Sequence, residues 1–194
     1  MIAALVVAAI SNFGSELDGV QRLFYPGFYP GADVGPASVL RILGQIDSIE
    51  TLWRTFSPAL LHFGAVHLVF NSLWLWHFGR MIESQQSSVL YFTILLFLAF
   101  TSNMAQYLWS LSANFGGLSG VVYGLLGYIW MWQCVEPRGS LRLPPAMIAF
   151  MLVALVAMEV VASAWIASAA HAGGLLAGML AGLVIAGLQR FRRP

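Results

Sequence analysis

The sequence predicts an all-α protein that crosses a membrane as a bundle of six helices, and three observations support this prediction. Of its 194 residues, 59% are hydrophobic and 9% are charged, whereas soluble domains carry about a quarter charged residues. The mean hydropathy is +0.80. Several apolar runs reach the roughly 20 residues that a helix needs to cross a bilayer. A water-soluble globular protein is therefore excluded.

Charge and cysteine content exclude two further classes. Nine arginines, no lysine and eight acidic residues give a net charge of +1, without the basic stripe that nucleic-acid binding requires. Cys134 is the one cysteine of the sequence. It can form neither an internal disulfide nor a thiolate metal site, which needs several such ligands. We expect no nucleic-acid partner, no metal and no cofactor.

Six segments are predicted to span the membrane. Three have ordinary length and composition: Val89–Leu111, Pro145–Trp165 and Ala169–Leu188. The other three are atypical. Met1–Phe13 is short, Leu61–Phe78 contains three histidines and an asparagine, and Ser119–Trp132 would reach only about 21 Å as a helix.

The arginine distribution predicts the orientation of these spans. Residues from about 14 to 60 carry a net charge of −2, while the loops and chain end on the opposite side carry +4. Cationic loops are retained on the cytoplasmic side. Both termini are therefore expected in the cytoplasm, and residues 14–60 should form an ordered outside loop lying partly in the interface. We expect residues 1–194 to form one membrane domain without a soluble accessory domain.

Polar side chains on three predicted spans fall in one layer of the membrane. Measured along each helix from the nearest cytoplasmic charge, His67 lies at about 20 Å, Ser119 at about 26 Å and His171 at about 28 Å. Asn71 shares a helix face with His67, one turn below it. Polar groups at such depth are costly and are commonly functional. Convergence of these side chains on one site is therefore predicted.

Two glycine stripes indicate how the helices meet. Gly116, Gly120 and Gly124 recur every four residues around Ser119, and three more glycines recur likewise after His171: Gly174, Gly178 and Gly182. Small residues at this spacing permit close helix packing. Packing alone explains an isolated stripe, but two stripes that each adjoin a polar group predict that Ser119 approaches His171.

The short fourth span predicts an aqueous pocket. Its late start leaves Ala113–Leu118 as non-helical backbone at membrane depth. Such backbone is tolerated only where protein buries it or where it lines a water-filled cavity. We expect water above Ser119, and helix N–H groups that point toward developing negative charge.

A serine and a histidine that meet in this way suggest nucleophilic catalysis. A serine hydroxyl attacks a carbonyl when a base removes its proton, and His171 is the candidate on a facing helix. Glu83 lies near the cytoplasmic edge and Glu159 lies on another span, so neither completes a triad. A Ser-His dyad is predicted.

Hydrolysis also needs donors for the tetrahedral oxyanion. The amide of Asn71, the ring N–H of His67 and the backbone N–H of Ser119 are candidates. The alternative for His67 and Asn71 is an interhelical hydrogen bond.

Several motifs together resemble one known family. In chain order they are Trp53–Arg54, His62, His67–Asn71, Gly79 with Glu83, Phe115–Tyr123, and Ala170–His171 followed by Gly174 and Gly178. This ordered set resembles the rhomboid intramembrane serine proteases, most closely the bacterial GlpG-type members. In the resemblance, Gly79 and Glu83 correspond to a turn.

The resemblance implies specific roles. Ser119 would be the nucleophile, His171 the general base, and His67, Asn71 and Leu118 the oxyanion support. Tyr123 would pack beneath the base ring. The remaining residues would support the site: Gly117, Gly120, His62, Arg54 and Glu83.

The resemblance also implies the setting. It predicts a six-helix bundle around the short central fourth helix, in the bacterial inner membrane, with the active site open to the periplasmic side. Its substrates would be single-span membrane proteins, which would reach the site beside the fifth helix and be cut near their outer ends. The short first helix and Pro58, where relatives often carry histidine, depart from the family pattern.

Three other interpretations stay open. A rhomboid-like protein could bind or chaperone membrane helices without cutting them, although it would need neither Ser119 nor His171. A small-solute transporter would show paired half-helices, which this sequence lacks. Three histidines, His62, His67 and His171, could crowd one metal site, but no firm further ligand is evident.

Overall fold

In a computed structural model, residues 1–13, 24–25, 27, 36–110, 115–162 and 167–191 are described. These residues form eight α-helices and one 3₁₀ turn, and no strand occurs among them. The helices are α1 (Ile2–Ile10), α2 (Pro36–Gly44), α3 (Ile49–Phe56), α4 (Ala65–Glu83), α5 (Ser88–Ser110), α6 (Ser119–Val135), α7 (Pro145–Ala162) and α8 (Ser168–Phe191). The 3₁₀ turn, Ser57–Leu60, follows α3. The all-α prediction is confirmed.

Two of the described helices, α5 and α8, are long and apolar enough to cross a membrane. A third span results if α3 and the 3₁₀ turn are joined to α4, across a bend of 100°. The apolar stretch Pro145–Met158 of α7 is shorter. Length and composition thus give two or three spans among the described residues, fewer than the six predicted.

Helix α6 lies at the centre of the packed helices. Every residue at 120–129 of this helix is buried, including Val121, Val122, Leu125, Leu126, Tyr128 and Ile129. The surrounding helices instead expose large apolar side chains, such as Val66 on α4, Val153 on α7 and Leu176 on α8. Apolar side chains both in the interior and on the outer surface of a helix bundle are expected where that outer surface faces lipid. The helix ends at Val135, almost one turn beyond the predicted end at Trp132.

The backbones of α6 and α8 are in direct contact through glycine. A Cβ on Gly174 would overlap the carbonyl oxygen of Gly120, and a Cβ on Gly178 would overlap that of Gly124. Gly182 lies in the same way against Tyr128. The predicted packing of the two stripes therefore holds for these contacts.

Gly116 was predicted to belong to the first stripe, and that prediction is wrong. It precedes α6 and packs against Leu61 and the Pro58 carbonyl instead; a Cβ at Gly116 would lie 2.9 Å from Leu61 Cβ and 3.0 Å from Pro58 O. The reason is that α6 begins only at Ser119, so the four-residue helical spacing does not extend back to position 116.

Part of the predicted outside loop is helical, because α2, α3 and the 3₁₀ turn lie within residues 14–60. Ser48 and Thr51 form a reciprocal capping box that starts α3. The amide of Asn103 on α5 donates to the carbonyls of Thr55 (2.9 Å) and Phe56 (3.2 Å), which fixes the end of α3 to the bundle. The rest of the predicted loop, at 14–23, 26 and 28–35, lies outside the described residues.

The bounds of the second predicted span also differ. Helix α4 starts at Ala65 rather than Leu61, because Gly64 precedes it with φ +125°. Its last turns contain Gly79 and Glu83, so the turn expected there is wrong. Gly79 is helical and packs against the Tyr91 hydroxyl of α5, a close approach that a side chain at position 79 would block.

The end of the predicted fifth span is only partly described. Helix α7 ends at Ala162, and residues 163–166 lie outside the described part.

Candidate active site

Ser119 and His171 lie within hydrogen-bonding distance of each other. Ser119 is the first residue of α6 and His171 lies in the first turn of α8. The distance from Ser119 Oγ to His171 Nε2 is 2.7 Å. His171 is 4% exposed, whereas Ser119 is half-buried. The predicted approach of these two side chains is present, because the glycine contacts draw α6 and α8 together just below them.

The surroundings of Nδ1, the other ring nitrogen of His171, indicate which tautomer the imidazole adopts. Nδ1 is buried and has no hydrogen-bond partner. A neutral imidazole that accepts a proton at Nε2 carries its own hydrogen on Nδ1, and no carboxylate of the described residues bonds to that atom. With this tautomer, the Ser119 hydroxyl can donate to the imidazole at Nε2.

Tyr123 supports the imidazole from the same helix as Ser119. The ring centroids of Tyr123 and His171 are 5.1 Å apart, with an interplanar angle of 43°. The Tyr123 hydroxyl donates to the carbonyl of Met151 on α7 (3.1 Å). The phenol ring is therefore fixed at both ends, and it restricts the positions that the imidazole can take.

The backbone before Ser119 lies against His67 and Asn71. Gly117 has φ +114°, a conformation that favours glycine. A Cβ there would lie 2.6 Å from His67 Cε1 and 3.5 Å from Asn71 Nδ2. Asn71 is 5% exposed, and its Nδ2 has no partner. A buried donor without an acceptor is rare in folded proteins, and here it adjoins the segment that carries Ser119.

His62 contacts the same segment. It is fully buried, its Nδ1 lies 3.1 Å from the carbonyl of Leu60, and its Nε2 lies 3.5 Å from the backbone nitrogen of Leu118. These partners assign the hydrogen to Nδ1, so that Nε2 accepts from the Leu118 N–H. This N–H, predicted to support an oxyanion, is thus directed at His62.

The rings of His62 and His67 are close, with centroids 5.0 Å apart. In the described part of the chain, no group of three or more His, Cys, Asp or Glu side chains is arranged to hold a metal ion.

Protein groups pair with several backbone groups of the non-helical segment at 115–118. The Gly117 N–H donates to the carbonyl of Pro58 (3.0 Å), and the Tyr25 hydroxyl donates to the carbonyl of Phe115. Burial raises the pKa of Tyr25, which keeps this hydroxyl protonated. The backbone argument for an aqueous pocket therefore does not apply to these groups, because protein rather than water pairs with them. Residues 113–114 of the predicted segment lie outside the described part.

Two predicted supporting residues make no described contact with this site. Arg54 forms an ion pair with Glu50 on its own helix, α3. Glu83 ends α4, about 24 Å along the helix axis from His67. Neither has a described contact with Ser119 or His171. By contrast, Gly120 lies beside the pair: a Cβ on it would lie 3.1 Å from the Ala170 carbonyl.

Sequence reasoning missed three polar residues on α5. A Cβ on Gly120 would lie 2.6 Å from Ser102 Cβ, Asn103 bonds to the end of α3, and Gln106 Oε1 accepts from the Ala170 N–H (3.1 Å). All three are buried. The available signal was their polarity inside an otherwise apolar predicted span, since such residues usually bond to neighbouring helices.

Comparison with known proteins gives a family match over most of the chain. The family model described as Rhomboid domain matches residues 50–188. A protein named Rhomboid protease GlpG from Pectobacterium atrosepticum is 45% identical over 106 residues. Proteins of the same name from Serratia proteamaculans and Yersinia pestis are 44% and 39% identical over the same length. Each alignment covers 55% of this chain and 38% of the relative.

Proposed function

The chain belongs to the rhomboid family, and from that premise we propose that it is an intramembrane serine endopeptidase. Its apolar helices and its family make it an integral membrane protein. The substrates we propose are single-span membrane proteins, cut within or near the outer part of the bilayer. The relatives named as proteases support this activity.

One observation carries the proposal: the 2.7 Å distance between Ser119 Oγ and His171 Nε2. In the proposed reaction, His171 takes the hydroxyl proton as Ser119 attacks the scissile carbonyl. The protonated imidazole then gives that proton to the leaving amine, and an acyl-enzyme is left on Ser119. Water, deprotonated by His171, hydrolyses the acyl-enzyme and restores the serine.

The oxyanion of each tetrahedral intermediate needs preorganised donors. We assign this role to the Asn71 amide, the His67 ring and the Ser119 backbone N–H. The unpartnered Nδ2 of Asn71 supports the assignment, because a donor without an acceptor in the resting protein is available to an oxyanion. The Leu118 N–H can join them if it leaves His62, a weak contact at 3.5 Å.

The membrane arrangement is part of the proposal. We take residues 1–194 as one domain of six spans, namely α1, α4, α5, α6, α7 and α8. The charge distribution favours a cytoplasmic location for both ends of this chain. The site would then open to the periplasmic side of a bacterial inner membrane.

Cleavage of a single-span reporter by the protein in proteoliposomes tests this function. Ser119→Ala and His171→Ala should abolish discrete cleavage products. Matched substitutions away from the site, Ser84→Ala and His77→Ala, should retain them. If the parent and the site variants give the same products, the dyad is wrong.

A second measurement separates a protease from a protein that only binds membrane helices. A fluorophosphonate probe should label the parent at Ser119 and should not label His171→Ala, since the reaction needs an activated hydroxyl. Reporter binding by the parent without labelling or cleavage would instead support the binding function.

A further inference from the structure

The side chain of Gln106 on α5 reaches the start of α8, the helix that carries His171. Its Oε1 lies 3.1 Å from the backbone nitrogen of Ala170, the residue just before His171. The same N–H also lies 3.0 Å from the carbonyl oxygen of Ala167. It is therefore shared between two acceptors, as is common at helix termini.

This contact matters because the first N–H groups of a helix lack intrahelical partners. Ala170 and Gln106 are both buried, so water is not at hand to replace the amide oxygen. The Ala170 N–H keeps the Ala167 carbonyl as one acceptor. The bond to Gln106 adds a second acceptor from a neighbouring helix, and it links the start of α8 directly to α5.

The same face of α5 also reaches the nucleophile helix. Ser102, one turn before Gln106, packs against Gly120, the residue after Ser119; a Cβ on Gly120 would lie 2.8 Å from Ser102 Oγ and 3.1 Å from the Ala170 carbonyl. The starts of α6 and α8 therefore meet on one surface of α5. A shift of either start changes the distance between Ser119 and His171.

We propose that Gln106 is a positioning residue for the general base: by accepting the Ala170 N–H, it sets the height and rotation of the first turn of α8 and so aims His171 at Ser119. This inference rests on the proposed function. It assigns no contact between Gln106 and the substrate; its effect on the reaction passes through the backbone of Ala170.

The test substitutes Gln106→Met, which keeps the length of the side chain and removes the acceptor. The matched control is Gln86→Met. Gln86 exchanges hydrogen bonds with the Tyr128 hydroxyl, about 14 Å along α6 from Ser119. Both substitutions remove a tertiary amide contact, but only the first one bears on the start of α8.

Two rates are measured on the folded fraction of each variant in proteoliposomes: reporter cleavage, and labelling of Ser119 by a fluorophosphonate. Gln106→Met should lower kcat and the labelling rate about tenfold or more while KM changes little, since small misplacements of catalytic groups are costly. Gln86→Met should leave both rates per folded molecule near those of the parent. Gln106→Glu, which keeps an oxygen at the Oε1 position, should restore most of the loss.

Equal rates per folded molecule for Gln106→Met and Gln86→Met would overturn the proposal. So would a failure of Gln106→Glu to recover either rate. If Gln106→Met does not fold, Gln106→Asn, which withdraws the oxygen by one methylene, is measured instead and should show the same loss of kcat. A parent that is not labelled at Ser119 would refute the proposed function itself, whereas normal labelling of both the parent and Gln106→Met refutes only the role of Gln106.

Discussion

The carbonyl oxygen of Gly124 occupies the space that a Cβ on Gly178 would need. Glycine at position 178 therefore lets the backbones of α6 and α8 touch. The contact lies below Ser119 and His171, which are separated by 2.7 Å between Oγ and Nε2. The close approach of α6 and α8 therefore also sets the distance between Ser119 and His171.

Gly178→Ala should destabilise the protein and separate the two side chains. The new methyl group meets backbone rather than a flexible side chain, and overpacking of this kind costs about 1–3 kcal/mol. Gly187→Ala on the same helix is the control, because a Cβ there meets nothing within 4 Å. Unfolding of the solubilised protein measures the difference; equal stability of the two variants would contradict the packing described.

Asn71→Ala should lower kcat about 10²–10³-fold, the usual loss when one oxyanion donor is removed. The unfolding free energy should change little through hydrogen bonding, because Asn71 Nδ2 has no partner to lose. Asn103→Ala should behave in the opposite way, since its amide donates to two carbonyls. Kinetics and unfolding of both variants check this, and a large loss of stability with normal kcat in Asn71→Ala would refute the assigned role.

Gly117→Ala should impair catalysis more than Gly64→Ala does. Both glycines have positive φ, +114° and +125°, so each substitution imposes backbone strain of about 1–3 kcal/mol. A Cβ at Gly117 also meets the His67 ring, whereas one at Gly64 meets nothing within 4 Å. We expect the two variants to lose similar stability, whereas kcat should fall selectively in Gly117→Ala. An equal fall of kcat in both variants would contradict displacement of His67 as the cause.

Tyr25→Phe should destabilise the protein by about 1 kcal/mol at neutral pH, because the phenol donates to Phe115. Burial raises the pKa of Tyr25 in the folded state. Its stabilisation is thus complete below the ordinary tyrosine pKa and declines as the pH rises above that value toward the folded pKa.

The stability difference between the parent and Tyr25→Phe should therefore be constant up to about pH 9 and shrink by about pH 11. Denaturant titrations of both proteins at several pH values measure it. A difference that stays constant or grows over this range would contradict the buried, protonated phenol.

The sequence allowed much of this arrangement to be predicted, because its signals are local. Apolar runs located α5 and α8 to within three residues, and the stripe from Gly174 to Gly182 correctly indicated contact with α6. The predictions were wrong where contacts with residues distant in the sequence set the end of a helix. Gly116 packs on Pro58 and Leu61 because α6 starts later than glycine spacing suggested.

By itself, the amino-acid sequence determined an all-helical, lipid-facing chain and the residues whose chemistry could serve a dyad, since hydropathy, glycine spacing and side-chain type are properties of the chain alone. Beyond the approach of Ser119 to His171, only the tertiary structure decided which polar groups meet across helices. The bond from Gln106 to Ala170, the hold of Asn103 on α3 and the contact of His62 with Leu118 join residues 48 to 64 positions apart. No local pattern encodes such pairs, because they depend on how the packed helices are rotated and shifted against one another.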